Sequence, residues 1–153
     1  MLVSLERLVR EVRRLRRKGK RIAFTNGCFD LLHVGHLDYL ERTRRLADVL
    51  VVGINTDASV RRLKGTGRPV VREKERARLV ASLKPVDFAV LFSESTPLRL
   101  IQAIQPDVLT KGGDWTPSRI VGADVVKSSR GRVVSIPYTK NRSTTRLLNR
   151  LRG

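Results

Sequence analysis

The chain has 153 residues, 41% of them hydrophobic, which supports one domain with a core but is too short for two ordinary ones. No apolar run approaches the roughly 18 residues of a membrane span, and the lone Cys28 excludes an intrachain disulfide, so the expected protein is soluble, cytoplasmic and free of membrane. The formal net charge of +18 points to polyanionic partners, either nucleic acid, anionic lipid or phosphorylated metabolites, while aromatics at 5% leave few stacking platforms for a single-strand binder.

Residues 1–21 carry nine Lys or Arg against Glu6 and Glu11, and the remaining excess is spread along the chain, with arginine dominant. A compositional habit on solvated faces explains such a spread as readily as a binding surface does. Residues 1–20 lack the apolar stretch of a secretory signal. Leu5, Leu8, Val9, Val12 and Leu15 follow helical spacing, which predicts a basic amphipathic helix packed on the rest of the chain, residues 21–153.

From there strands and helices alternate. Residues 21–25 form a short apolar strand leading into Asn26-Gly27, a turn signal. A helix is expected over 34–46, and 48–54 is β-branched and nearly all apolar, as a strand buried on both faces should be. A polar, basic stretch covers 55–72, followed by a helix over 73–83 and a third strand over 86–92. Thr96-Pro97 opens a helix that runs to about Ile104. The fourth strand, 107–110, ends at Lys111-Gly112-Gly113-Asp114, and 132–136 is the fifth. Ser143 or a neighbouring Thr caps a last helix that reaches Leu151. The alternation predicts a single α/β domain, a doubly wound, Rossmann-like parallel sheet of five strands with helices on both faces. Ligands of such folds bind beyond the carboxyl ends of the strands.

Four unusual segments follow predicted strands, and the fold would gather them at that edge. The first holds both histidines of the chain, His33 and His36, three apart around Gly35. At a helix start the two share one face, Gly35 leaves the backbone uncovered, and free N–H groups add an anion site. Two imidazoles with backbone donors suit a phosphate that gains charge during reaction. Two incidental histidines, or a metal site lacking further Cys or His ligands, are the other readings of the same pair. The second segment is Ser143-Thr144-Thr145, where hydroxyls and N–H groups suit a triphosphate, although Ser/Thr caps are common in ordinary helices. The third is the basic stretch with Lys64 and Arg68, joined by Arg76; singly each is more often a solvated charge. In the fourth, Lys111 to Asp114, glycines allow a base or ribose to approach and Asp114 suits a hydroxyl. No Walker-type Gly-x-x-x-x-Gly-Lys-Ser/Thr occurs. Cys28 has no credible catalytic His pairing and is expected to be structural.

The run Thr25-Asn26-Gly27-Cys28-Phe29-Asp30 through His33-x-Gly35-His36 resembles the active-site motif of the cytidylyltransferase-like nucleotidyltransferases. It is most similar to the adenylyltransferase domain of heptose-phosphate enzymes, which make ADP-heptose for the lipopolysaccharide core. Asn55-Thr56-Asp57-Ala58-Ser59-Val60, Leu63-Lys64-Gly65 with Arg68-Pro69-Val70, Lys111-Gly112-Gly113-Asp114 and Ser143-Thr144-Thr145 extend the resemblance in the right order over residues 20–151.

The resemblance implies that His33 and His36 contact the triphosphate and that His36 stabilises the transferring α-phosphate. It implies that Lys64 and Arg76 complete the catalytic set by holding phosphates. Asn26, Gly27, Cys28, Phe29, Gly35, Lys111, Gly112, Gly113, Asp114, Ser143, Thr144 and Thr145 would bind the nucleotide, and Asp30, Lys64, Arg68 and Arg142 the acceptor. Related cytidylyltransferases carry Arg-Thr-x-Gly-Ile before the final Ser-Thr-Thr. This chain has Thr139-Lys140-Asn141-Arg142 there, which makes substrate choice less secure than reaction type.

The implied reaction transfers AMP from ATP to a sugar 1-phosphate, D-glycero-β-D-manno-heptose 1-phosphate first among candidates, with Mg2+ bridging phosphate oxygens. A homodimer and a separate upstream sugar kinase belong to the same expectation, and no specific nucleic acid partner does. The rival within the class is a CTP-dependent cytidylyltransferase acting on glycerol 3-phosphate or a similar alcohol phosphate. The rival from another class, motivated by the charge, is a basic nucleic-acid-binding protein on the same fold.

Overall fold

The structure, a computed structural model, describes residues 1–113 and 115–137. In chain order its elements are α1 (Leu5–Arg17), β1 (Ile22–Gly27), α2 (Val34–Arg44), β2 (Val49–Asn55), α3 (Asp57–Lys64), α4 (Glu73–Ala81), β3 (Phe88–Phe92), α5 (Leu98–Ile104), β4 (Val108–Gly112), a 3-10 turn (Pro117–Arg119), α6 (Ala123–Ser128) and β5 (Arg132–Ile136). The strands form one sheet in the order β3-β2-β1-β4-β5, and every pairing is parallel. The Rossmann-like fold expected from the alternation is the fold observed. No described helix is long and apolar enough to cross a membrane.

Side chains alternate across the sheet and divide the core in two. Phe24, Val51, Val90 and Leu109 face one layer, where Leu8 and Val12 of α1, Ile101 and Ile104 of α5 and Val126 of α6 complete the cluster. Ala23, Leu50, Val52 and Val108 face the other, with Leu40 of α2 and Ala77 and Val80 of α4. Cover on both faces is why every residue of β2 is buried and why its sequence does not alternate.

Several boundaries differ from those read in the sequence. Residues 1–3 are extended and pair along β3: Ala89 N–H donates to the Met1 carbonyl at 2.9 Å, and Val3 N–H to the Ala89 carbonyl at 3.0 Å. This contact covers a sheet edge that would otherwise be open. Asn26-Gly27, expected as a turn, still belongs to β1 and pairs with Gly53 and Ile54. Lys111 and Gly112 are likewise strand residues, paired with Ser135 and Ile136. Within the stretch expected as polar loop, α3 forms because the Thr56 hydroxyl caps the Ser59 N–H at 3.4 Å and because Ser59 and Val60 are buried. No periodicity marks α6, a turn and a half required to carry the chain from β4 to a parallel β5. The expected final helix lies outside the described residues.

Aspartates dominate the opposite edge. Asp48, Asp87 and Asp107 precede β2, β3 and β4, and their carboxylates accept the N–H groups of Arg21 (2.8 Å), Leu50 (2.8 Å) and Ile22 (2.7 Å). These N–H groups lie at the amino ends of β1 and β2, and the carboxylates satisfy them. Three of the chain's 14 acidic residues therefore sit at the end of the sheet away from the ligand edge.

A buried hydroxyl cluster seats α2 on the sheet. Tyr39 OH lies 2.5 Å from Thr25 Oγ1 and 3.0 Å from Thr110 Oγ1, and Thr43 Oγ1 lies 3.1 Å from Thr110 Oγ1. Thr25, Thr43 and Thr110 are fully buried, and the Thr25 and Thr43 hydroxyls also donate to the carbonyls of Thr110 (3.2 Å) and Tyr39 (3.0 Å), so the cluster leaves no threonine hydroxyl unpaired. Tyr39→Phe should therefore cost about 1 kcal/mol, since it deletes the bonds to Thr25 and Thr110 while each threonine hydroxyl keeps another partner. An unchanged urea midpoint would show that the cluster adds nothing to stability.

Candidate active site

At the carboxyl edge of the sheet lies a cavity of about 370 Å³, at the point where the strand order reverses between β1 and β4. Its lining comes from the ends of β1, β2 and β4, from the start of α2, and from the segments before α5 and α6.

The histidine turn forms one side. Phe29 takes a left-handed φ of 48°, which turns the chain sharply after β1. Gly27 makes room for the Phe29 ring, since a Cβ there would meet Phe29 Cε2 at 3.0 Å. His33 is the N-cap of α2, its carbonyl accepting the His36 N–H at 2.9 Å. The His33 N–H in turn donates to His36 Nδ1 at 3.4 Å. The two rings stack with centroids 4.0 Å apart, and Phe29 lies against His36 at 5.4 Å.

Burial, the neighbouring His33 and the Lys64 charge together push the His36 pKa down to about 4. His36 is thus a neutral imidazole at pH 7. Its Nδ1 accepts a backbone N–H, so its proton resides on Nε2, a donor for an anionic oxygen. The structure separates the roles of the pair: His36 lines the cavity, whereas His33 is absent from the lining and stacks on His36.

Three residues expected to touch substrate are committed elsewhere. Asp30 borders the cavity, but its Oδ1 accepts the N–H groups of Val70 (2.8 Å) and Val71 (3.0 Å), and its Oδ2 lies 3.0 Å from Arg68 Nε. Asp30 and Arg68 therefore neutralise each other and pin the 68–71 segment to the histidine turn. Arg76, expected to hold phosphates, is fully buried. Its Nε donates to the Val71 carbonyl at 2.8 Å, Nη1 to the Cys28 carbonyl, and Nη2 to Asp57 Oδ1 at 2.7 Å. The guanidinium fork is filled by protein acceptors, which makes Arg76 a strut beneath the site. Of the basic residues between 55 and 76, only Lys64 lines the cavity.

The floor is formed by Asn26, Lys111 and Gly112, with Lys111 Nζ 3.4 Å from Asn26 Oδ1. Burial lowers the Lys111 pKa from its ordinary value, an effect partly opposed by Cys28. Gly35 and Gly113 are buried and outside the lining. Lys64, Lys111 and Arg119 bring three cations to the cavity against the single, paired carboxylate of Asp30. Such a field favours a polyanion. Asp114, Arg142, Ser143, Thr144 and Thr145 lie outside the described residues.

The sequence reading missed a second wall, formed by Ser95 to Pro97 and by Trp115 with Arg119 to Val121. Ser95 lies three residues beyond β3, in the same position relative to a strand end as the other loops of the site. Arg119 carried no signal, because it stands in a segment with no predicted element.

Among the described residues no group of three or more His, Cys, Asp or Glu is placed to hold a metal ion.

Residues 24–150 match the family model described as Cytidylyltransferase-like. The chain is 54% identical over 149 residues to the "Bifunctional protein HldE" of Geotalea uraniireducens (strain Rf4), covering 97% of this chain and 30% of that one. It is 55% identical over 136 residues to the protein of the same name from Syntrophotalea carbinolica, covering 89% of this chain and 28% of the relative. The chain thus spans about 30% of the length of the curated relatives it matches. The solved lipopolysaccharide core biosynthesis protein from Thermoplasma volcanium GSS1 superposes with a TM-score of 0.64 at 30% identity, covering 81% of this chain and all of that one.

Arg76→Ala should lower stability by about 3 kcal/mol, because it leaves Asp57 and two carbonyls without their partner. Lys64→Ala, on an exposed helix end, should leave the stability within about 0.5 kcal/mol of wild type; equal losses of stability for the two variants would refute the strut. For His36, the unfolded chain takes up a proton as pH falls through about 6.5, whereas the folded imidazole resists until about 4. Its contribution to stability is complete above the higher value and is lost as pH falls toward the lower one. An NMR titration should place the His36 midpoint near 4, and His36→Gln should flatten the decline of the urea midpoint between pH 6.5 and 4.5.

Proposed function

The chain belongs to the cytidylyltransferase-like family, and we propose that it is an adenylyltransferase acting on a sugar 1-phosphate, with D-glycero-β-D-manno-heptose 1-phosphate as acceptor and ADP-heptose as product. The observation that carries the reaction type is the neutral His36 at the mouth of a cationic cavity, with its proton on Nε2 and its ring held by His33 and Phe29. The heptose assignment rests on the motif resemblance and on similarity to proteins named for HldE and for lipopolysaccharide core biosynthesis.

In this reading the triphosphate enters as its Mg2+ complex. A phosphate oxygen of the sugar 1-phosphate attacks the α-phosphorus in line. The bond from the α-phosphorus to the bridging oxygen breaks, and pyrophosphate departs with its electron pair. The attacking oxygen is already ionised at neutral pH, so no protein nucleophile or strong base is required. Catalysis is then positioning and charge neutralisation. His36 Nε2–H supports the α-phosphate oxygens as charge builds on them, and a neutral donor there gains strength from the partly dry site. Lys64 and Lys111 supply positive charge to the triphosphate. A kinase that phosphorylates the anomeric hydroxyl of the sugar supplies the acceptor in this reading. The homodimer implied by the resemblance belongs to the same proposal and is tested by sedimentation of the purified chain.

Mg2+-dependent pyrophosphate release is the test, with ATP and CTP each offered against a panel of sugar 1-phosphates and glycerol 3-phosphate. Release with ATP and heptose 1-phosphate alone is the expected result. Release with CTP and an alcohol phosphate would keep the mechanism and replace the substrates. His36→Ala should cut kcat by about 100-fold or more, as loss of one oriented donor does elsewhere, while changing the KM for ATP little. Equal losses in both would assign His36 to ground-state binding.

A further inference from the structure

Trp115 is the only tryptophan of the chain. It lies just beyond β4, lines the cavity, and is 48% exposed. Its backbone is anchored: its N–H donates to Ser135 Oγ at 3.1 Å, and that hydroxyl donates to the Gly113 carbonyl. The far end of the same segment is fixed as well. Gly122 has a φ of 83°, and a Cβ there would lie 2.6 Å from Ile101 Cδ1, so only glycine lets the chain seat against α5. Between these anchors Ile120 and Val121 also line the cavity, and so does Arg119, whose N–H donates to the Thr116 carbonyl at 2.9 Å and whose guanidinium has no hydrogen bond or ion pair among the described residues. A large aromatic left half open on a fixed wall lacks a cover.

We propose that Trp115 is the stacking platform for the nucleobase of the nucleoside triphosphate, with the Arg119 guanidinium as a second planar contact. The proposal rests on the nucleotidyltransferase reading and names where that substrate's base lies. The cavity is chemically two-ended. His36, Lys64 and Lys111 offer donors and charge for phosphates, whereas the wall from Trp115 to Val121 offers an indole and two aliphatic side chains. A base has an apolar face that needs no hydrogen bonds and stacks on aromatic rings and guanidinium planes. A sugar acceptor carries hydroxyls on most of its carbons, each of which needs a polar partner when buried. Among the described lining residues of 115–121, Arg119 is the only charged side chain.

The single tryptophan makes the test direct. MgATP should quench its fluorescence, whereas inorganic tripolyphosphate, which has the phosphates and no base, should not. By calorimetry Trp115→Ala should weaken ATP binding about ten-fold, the scale of base stacking on an aromatic ring. Trp115→Phe should restore most of it, and circular dichroism checks that both variants fold. Indole emission indifferent to bound ATP, or wild-type affinity in Trp115→Ala, overturns the platform and leaves the nucleotidyltransferase reading intact. Quenching by a sugar 1-phosphate alone also overturns it, by giving the wall to the acceptor. Failure of the wild-type chain to bind either ATP or CTP overturns the nucleotidyltransferase reading, and the platform with it.

Discussion

Parallel pairing of all five strands is the constraint on which the site depends. It sends every strand's carboxyl end to one edge, so residues as distant in sequence as His36, Asn55, Pro97 and Trp115 come to line one cavity. It also determines where charge resides. The free N–H groups at the amino edge draw the carboxylates of Asp48, Asp87 and Asp107. The carboxyl edge is left with Lys64, Lys111 and Arg119 and only one carboxylate, itself paired. The aspartates at the amino edge are matched by Arg16, Lys20 and Arg44, whereas Lys64, Lys111 and Arg119 at the cavity outnumber its one carboxylate.

Within the site, rigidity and reactivity are assigned to different members of the same residue classes. Arg76 is buried and fully engaged, and Lys64 is exposed on a helix end beside the cavity. His33 caps a helix and stacks, while His36 lines the cavity with a depressed pKa. Asp30 and Arg68 hold the 68–71 segment in place. The residues that line the cavity are thus supported by a layer of charge pairs and caps that fix their positions. A donor already fixed needs no reorganisation when charge develops.

The buried hydroxyl cluster ties this layer to the sheet. Thr25 of β1, Thr110 of β4 and Tyr39 and Thr43 of α2 meet across the reversal of strand order. The helix that carries His36 is therefore registered against the two strands whose ends form the cavity floor.

The sequence by itself determined the strand and helix alternation, the histidine turn and the family resemblance, because these rest on local spacing, apolar runs and contiguous motifs. Val34 as the start of α2 and the buried run of β2 are examples. Tertiary structure decided which charged side chains remain available. In sequence, Arg76, Arg68 and Lys64 are three basic residues after a strand. Only folding shows that Cys28, Val71, Asp57 and Asp30 claim the first two and leave the third. It also decided the second wall, since the 115–121 segment has no periodicity of its own and acquires its place from anchors at Ser135 and Ile101. Local propensity is written residue by residue, whereas partnership between distant polar groups exists only once the chain has closed on itself.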